Sequence, residues 1–172
     1  MDDGLTRLNE LPPPAARAEL LACCSAPSWA ERMAAGRPYR SVPDAVGQSA
    51  VIVASLTVAD LAGALAGHPR IGDRIEAGRG PGRSAAWSAQ EQSGVSAAGA
   101  ETTRALAQAN LEYERRFGHI YLVCASGRTA GELLALLRSR LANDEQAEWQ
   151  VVRTELQKIN EIRLRKLLGD AA

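Results

Sequence analysis

Apolar residues recur at intervals of three and four along most of this chain, a spacing that predicts helices rather than strands. One predicted stretch runs from Pro43 to Ala66, with Val51, Ala54, Val58, Leu61 and Leu65 on one face, and ends at Gly67, a residue suited to a left-handed cap. Another runs from Asn143 to Leu168 and carries Val152, Leu156, Ile159 and Leu167. Shorter helices are expected from Leu5 to the Pro12-Pro13-Pro14 run, from about Ala15 to Cys24, and from Pro27 to Met33. Further along, Ala85 to Gly94 and Ala98 to Phe117 read as helices, with Gly118 closing the second. Thr129 with Glu132 forms a capping box that opens a helix to Arg140, and Asn143 with Gln146 resembles another. The run Ile120 to Ala125 is apolar and short, compatible with an extended segment or a buried helix start. The fold class expected is all-α: a single-domain multi-helix bundle over residues 1–172.

One residue interrupts the final stripe. Arg163 lies four positions after Ile159 and four before Leu167, where an apolar side chain belongs. A guanidinium on the buried side of a helix requires an anion, a cluster of acceptors or a wet cavity. A structural ion pair and a side chain that reaches out to water are the plain alternatives to a functional site.

Composition narrows the function classes. Hydrophobic residues make up 46%, charged residues 23% and aromatics 4% of 172 residues, values of a folded helical protein rather than a disordered one. Twenty basic and twenty acidic side chains cancel, so no nucleic acid or anionic membrane partner is implied. No apolar run approaches the roughly 20 residues of a membrane-spanning helix. The start Met-Asp-Asp-Gly and the end Gly-Asp-Ala-Ala carry no recognisable address, which gives a cytoplasmic expectation. Cys23, Cys24 and Cys124 have no disulfide or metal spacing and are expected as reduced thiols.

Two places stand out as candidate chemistry. His68 sits between Gly67 and Pro69, and the proline restricts the histidine backbone, so the imidazole is oriented by its own chain. A surface histidine is the alternative, and His119 shares it; two histidines so far apart give no metal site. Ser88, Glu91 and Gln92 stand at i, i+3 and i+4, placing a hydroxyl, a carboxylate and an amide on one helical face. That trio can grip a small polar molecule or serve local structure alone. The glycine-rich stretch from Gly72 to Arg83 reads as a loop; no strand precedes it and no Gly-Lys-Ser/Thr closes it, which argues against a phosphate cradle.

Four motifs in order, His68-Pro69, Ser88-Ala89-Gln90-Glu91-Gln92, Asn110-Leu111 leading to Phe117-Gly118, and Ile159 through Arg163 to Leu167, resemble those of the 2-oxo-4-hydroxy-4-carboxy-5-ureidoimidazoline (OHCU) decarboxylases. The resemblance implies an all-helical, cofactor-free, typically dimeric enzyme without metal that acts on a small ureide and forms S-allantoin from a urate-derived precursor. It implies His68 as catalytic acid/base, with Glu91 and Arg163 completing the catalytic set. Pro69, Ser88 and Gln92 would contact or shape the substrate site, and the backbone of Tyr121, Leu122, Val123, Cys124 and Ala125 would line it. This chain has Phe117-Gly118-His119-Ile120-Tyr121 where the more familiar version reads Phe-Gly-Phe-Pro-Phe. The glycine-rich loop would be a candidate lid. A non-enzymatic helical interaction module, with Arg163 paired internally to Glu91, is the alternative from another class. An enzyme for a different ureide is a third reading.

Overall fold

The structure is a computed structural model that describes residues 3–73, 82–95 and 98–170. Among the described residues there are nine α-helices and no strand, as the spacing of apolar positions implied. They are α1 (Asp3–Glu10), α2 (Pro13–Leu21), α3 (Pro27–Ala35), α4 (Val42–Ala54), α5 (Val58–Leu65), α6 (Gly82–Glu91), α7 (Ala100–Phe117), α8 (Ala130–Arg140) and α9 (Glu145–Leu168). The candidate lid falls mostly on residues 74–81, outside the described residues. Two compact units divide the chain, Met1–Gly67 with Leu156–Ala172, and His68–Glu155; α9 begins in the second and ends in the first.

In the first unit α2 packs on α3 and α3 on α4. Prolines open α2, α3 and α4, where the missing N–H would have no helical partner in any case. Trp29, fully buried, donates its indole N–H to Ser49 Oγ (3.1 Å), so the largest side chain is also polar-satisfied. Arg37 donates to the carbonyls of Leu8 (2.5 Å), Leu11 (2.7 Å) and Ala34 (2.9 Å), closing the ends of α1 and α3 with one guanidinium. Gly4 lies so close to the end of α9 that a Cβ there would come within 2.6 Å of the Leu168 carbonyl carbon.

The expected helix from Pro43 to Ala66 is two helices bent by 117°. Ser55 ends α4, and Thr57 starts α5 with a capping box in which Thr57 N–H donates to Asp60 (2.9 Å) and Asp60 N–H to Thr57 Oγ1 (3.1 Å). The break rotates the faces: Val51 and Val58 are 61% and 49% exposed and Ala54 is exposed with them, Ile52 and Val53 are buried in α4 instead, and in α5 Leu61 and Leu65 are buried as the spacing predicts, with Ala64 beside them. Gly67 is not left-handed, and the helix closes at Ala66. Glycine is required there by a close approach, because a Cβ on Gly67 would sit 1.8 Å from Ser25 Oγ.

The second unit has its own core, in which Leu106, Ala109 and Tyr113 of α7 meet Leu133, Leu134 and Leu137 of α8 together with Ile71, Val95, Tyr121, Val123 and Ala125. Gly118 caps α7 at φ +75°, and Thr129 with Glu132 caps α8 reciprocally. The start of α9 differs from expectation. Asp144, not Asn143, accepts the N–H of Ala147 (2.7 Å), because the Asn143 amide is held by Glu148 (2.8 Å).

Candidate active site

His68 lies in an irregular turn just past α5, half-buried, and begins the second unit. Pro69 follows without an N–H to offer. The next three residues are tied down by side chains from α7 and the end of α6. Asn110 Nδ2 donates to the Ile71 carbonyl (2.9 Å), and Gln92 Oε1 accepts the Gly72 N–H (3.0 Å). Arg70 forms a two-pronged pair with Glu114, Nη2 to Oε2 at 2.9 Å, and that contact holds the Glu114 carboxyl below its ordinary range.

On α6 the hydroxyl, carboxylate and amide singled out in the sequence separate by burial. Ser88 and Gln92 are buried and Glu91 is partly exposed. The Gln92 amide, expected as a substrate contact, is in this structure part of the clamp on the His68 turn. Its Nε2 contact to the Arg70 carbonyl is long, 3.5 Å, so that donor is only loosely engaged.

Residues 120–125 form neither a strand nor a helix, yet Tyr121 through Ala125 are all buried. Tyr121 turns its ring into the core and donates its hydroxyl to the Leu133 carbonyl (3.1 Å); burial pushes its pKa up to about 12. Arg140 Nη1 donates to the Leu122 carbonyl (2.7 Å), and Glu155 accepts the Cys124 N–H (2.8 Å). Arg140 is itself paired with Glu148, which also accepts from Tyr113 and Asn143. Burial alone would raise the Glu148 pKa, but those three hydrogen bonds outweigh it and hold the carboxyl below its ordinary range. Burial raises the Cys124 thiol, and the carboxylates of Glu155 and Glu91 act in the same direction. His119, at the departure from the familiar motif, stacks on Trp149 with ring centroids 4.3 Å apart.

Thus His68, Pro69, Ser88, Glu91, Gln92 and Tyr121 to Ala125 all belong to the second unit, and Arg163 belongs to the first. Arg163 is 2% exposed, so the guanidinium flagged by the broken stripe is buried as the pattern required. The neighbouring Cys24 thiol is raised by burial, against the opposing pulls of Asn160 and Arg163. All three cysteines are free and buried. A groove of about 720 Å³ in the first unit, lined by Pro13, Pro14, Arg17, Ala34, Arg37 and Pro38 among others, contains none of these residues. Among the described residues, no group of three or more His, Cys, Asp or Glu is placed to hold a metal ion, and no single helix is long and apolar enough to cross a membrane. Arg140, Glu155 and the Arg70–Glu114 pair carry no signal in the sequence that marks them, and Asn110 enters there only as part of a motif, with no role of its own. Their partners lie many positions away in the chain.

The profile of the OHCU decarboxylase family matches residues 9–165. The chain belongs to the OHCU decarboxylase family. Among relatives, the uric acid degradation bifunctional protein TTL of Arabidopsis thaliana is 28% identical over 87% of this chain; the match spans 46% of that longer protein. The 2-oxo-4-hydroxy-4-carboxy-5-ureidoimidazoline decarboxylase of Amia calva is 29% identical, over 77% of this chain and 75% of the relative. Of solved structures, an OHCU decarboxylase crystallised in the presence of (S)-allantoin superposes with a TM-score of 0.76 at 28% identity, covering 88% of this chain and 98% of the other. Every candidate site residue of this family member, from His68 to Arg163, falls inside the matched span.

Proposed function

We propose that this chain catalyses the decarboxylation of OHCU to (S)-allantoin in urate degradation, with His68 as the acid/base. The observation that carries the reading is a family match that runs through the clamped His68 turn, the α6 carboxylate and the buried Arg163. The substrate is a small ureide. It carries a hydroxyl and a carboxylate on one ring carbon, beside a carbon doubly bonded to nitrogen. As carbon dioxide leaves, the pair from the breaking C–C bond forms a double bond between the two ring carbons. The former C=N pair moves onto nitrogen, which takes a proton. The substrate is its own electron sink, so the step needs no added electron acceptor.

The enol so formed then loses its hydroxyl proton as the ring carbonyl forms, while the neighbouring carbon gains a proton on one face. An imidazole, with its pKa near neutrality, is suited to deliver that proton, and a turn that fixes the ring fixes the face. Arg163 supplies a planar pair of donors to the substrate's oxygens, and Glu91 accepts from its N–H groups. Ser88 and the backbone of Tyr121 to Ala125 complete the contacts, with Leu122 C=O and Cys124 N–H already engaged by protein. Gln92 can release its long bond to Arg70 and turn that donor to the substrate while keeping Gly72. We further propose a cytoplasmic homodimer that binds neither nucleic acid nor membrane, the dimer being testable by sedimentation.

The test adds the protein to freshly generated OHCU and follows optical rotation. Faster decay with a single enantiomer of allantoin is expected. Racemic product at the spontaneous rate overturns the assignment. In the same assay His68→Asn should lower kcat by about two to four orders of magnitude. A near-normal rate removes His68 from the chemistry.

A further inference from the structure

The residues on α7 that hold the His68 turn stand at a regular interval. Leu106, Asn110 and Glu114 are four apart and therefore form one ridge along the helix. Each meets a successive residue of the turn, in antiparallel order. Leu106 Cδ2 lies 3.3 Å from where a Cβ on Gly72 would be, Asn110 donates to Ile71, and Glu114 pairs with Arg70. Gly72 has φ +89°, which suits glycine both for its conformation and for the approach of Leu106. The ridge thus reads the three residues after His68-Pro69 one by one.

Asn110 is the costly member of the ridge. It is 4% exposed beside Leu106, Ala109 and Tyr113, where a leucine would bury more apolar surface. Its Nδ2 is used, but its Oδ1 is buried with no hydrogen-bond partner among the described residues. An unsatisfied buried acceptor destabilises the folded state. A half-satisfied amide in an apolar core is a poor way to stabilise a helix and a specific way to hold one carbonyl.

We infer that Asn110 is a positioning residue for His68: through the Ile71 carbonyl it fixes the register of the turn and hence the placement of the imidazole. Glu114 and Leu106 guard the register on either side. The inference deepens the decarboxylase reading and rests on it for its kinetic consequences. The placement of His68 can also be observed without turnover.

The test compares the wild type with Asn110→Leu, which keeps the size and removes the donor, and with Asn110→Asp, which presents a carboxylate to the Ile71 carbonyl. With uncatalysed decay subtracted, Asn110→Leu should lower kcat by roughly 10- to 100-fold, the scale of a small misplacement of a reacting group, and change KM by no more than about threefold. The enantiomeric excess of the enzymatic allantoin should fall, which loss of folded protein alone would not cause. Asn110→Asp should be impaired at neutral pH and recover part of its loss relative to wild type as the pH is lowered, when the protonated acid regains a donor. The chain has two histidines, so nitrogen-15 NMR can follow both; the His68 imidazole signals should shift or broaden in Asn110→Leu while those of His119 stay. A melting temperature that falls with kcat per folded enzyme, enantiomeric excess and His68 signals unchanged would reduce Asn110 to a structural role and overturn the inference. So would full wild-type behaviour in Asn110→Leu. If Asn110→Leu fails to fold, absence of any low-pH recovery in Asn110→Asp overturns it. Should the wild type itself leave OHCU untouched, the functional reading fails, and the NMR comparison still decides the positioning claim.

Discussion

The turn at 68–73 and the segment from 119 to 129, both outside the helices of the second unit, are held in opposite ways. The turn is secured by neutral amides, Asn110 and Gln92, and by an ion pair in which Arg70 is 47% exposed. The segment is secured by buried charge: Arg140 on the Leu122 carbonyl, Glu155 on the Cys124 N–H, and Glu148 beneath Arg140. A neutral contact that is broken leaves an unpaired dipole, whereas a buried charge that loses its partner is left stranded at greater cost. The comparison therefore divides an arm carrying His68, held by neutral amides and one exposed ion pair, from a floor held by buried charge.

Removing the charge from the floor should have the largest effect. Arg140→Leu strands Glu148, fully buried, and opens the Leu122 carbonyl, for an expected loss of about 3–5 kcal/mol in urea unfolding. Adding Glu148→Leu to it should recover a good part of that loss. A single variant as stable as wild type would erase the proposed contrast. Acid sharpens it. Because Glu148 is depressed in the folded state, the stability it contributes is present above the unfolded carboxylate value of about 4.3 and is lost as pH falls through its lower folded value. Unfolding followed from pH 5 downward should show this decline, and Glu148→Gln should flatten it. An unchanged slope would assign acid lability elsewhere.

A smaller effect is expected where α6 meets the floor. A Cβ on Gly94 would lie 2.3 Å from the Arg128 carbonyl oxygen, a backbone atom that cannot step aside alone. Gly94→Ala should cost about 1–3 kcal/mol as overpacking, measured by thermal unfolding. Wild-type stability would mean the floor yields more than described. Smallest of all is the exposed clasp on the arm: Arg70→Gln should change stability by about 0.2–1 kcal/mol, less still in high salt. A larger, salt-independent loss would place the arm with the floor.

Much of this was legible in sequence because the controlling contacts are local. The Thr129/Glu132 box lies within one turn, and the stripe that exposed Arg163 needed only counting. The same count flags Glu148, four before Val152 on the same stripe, and would have found the floor's buried ion pair. The bend between α4 and α5 was missed because Val51 and Val58 continue the period across it, although Thr57-x-x-Asp60 is itself a start signal. Asn143 and Asp144 are adjacent polar residues, and only the distant claim of Glu148 on Asn143 decides which one caps α9. The clamps on the site were beyond reach. Gln92 bonds a residue 20 positions away, Glu155 one 31 away and Asn110 one 39 away, and no local pattern encodes such pairs.

The approach of Gly67 to Ser25 carries a consequence for how this chain can vary. With 1.8 Å between a hypothetical Cβ and a hydroxyl oxygen, the residue immediately preceding the histidine cannot gain an atom unless its neighbour loses some. In a randomised library, alanine at position 67 should survive chiefly alongside glycine at position 25, and the two sites should behave as a single inherited choice.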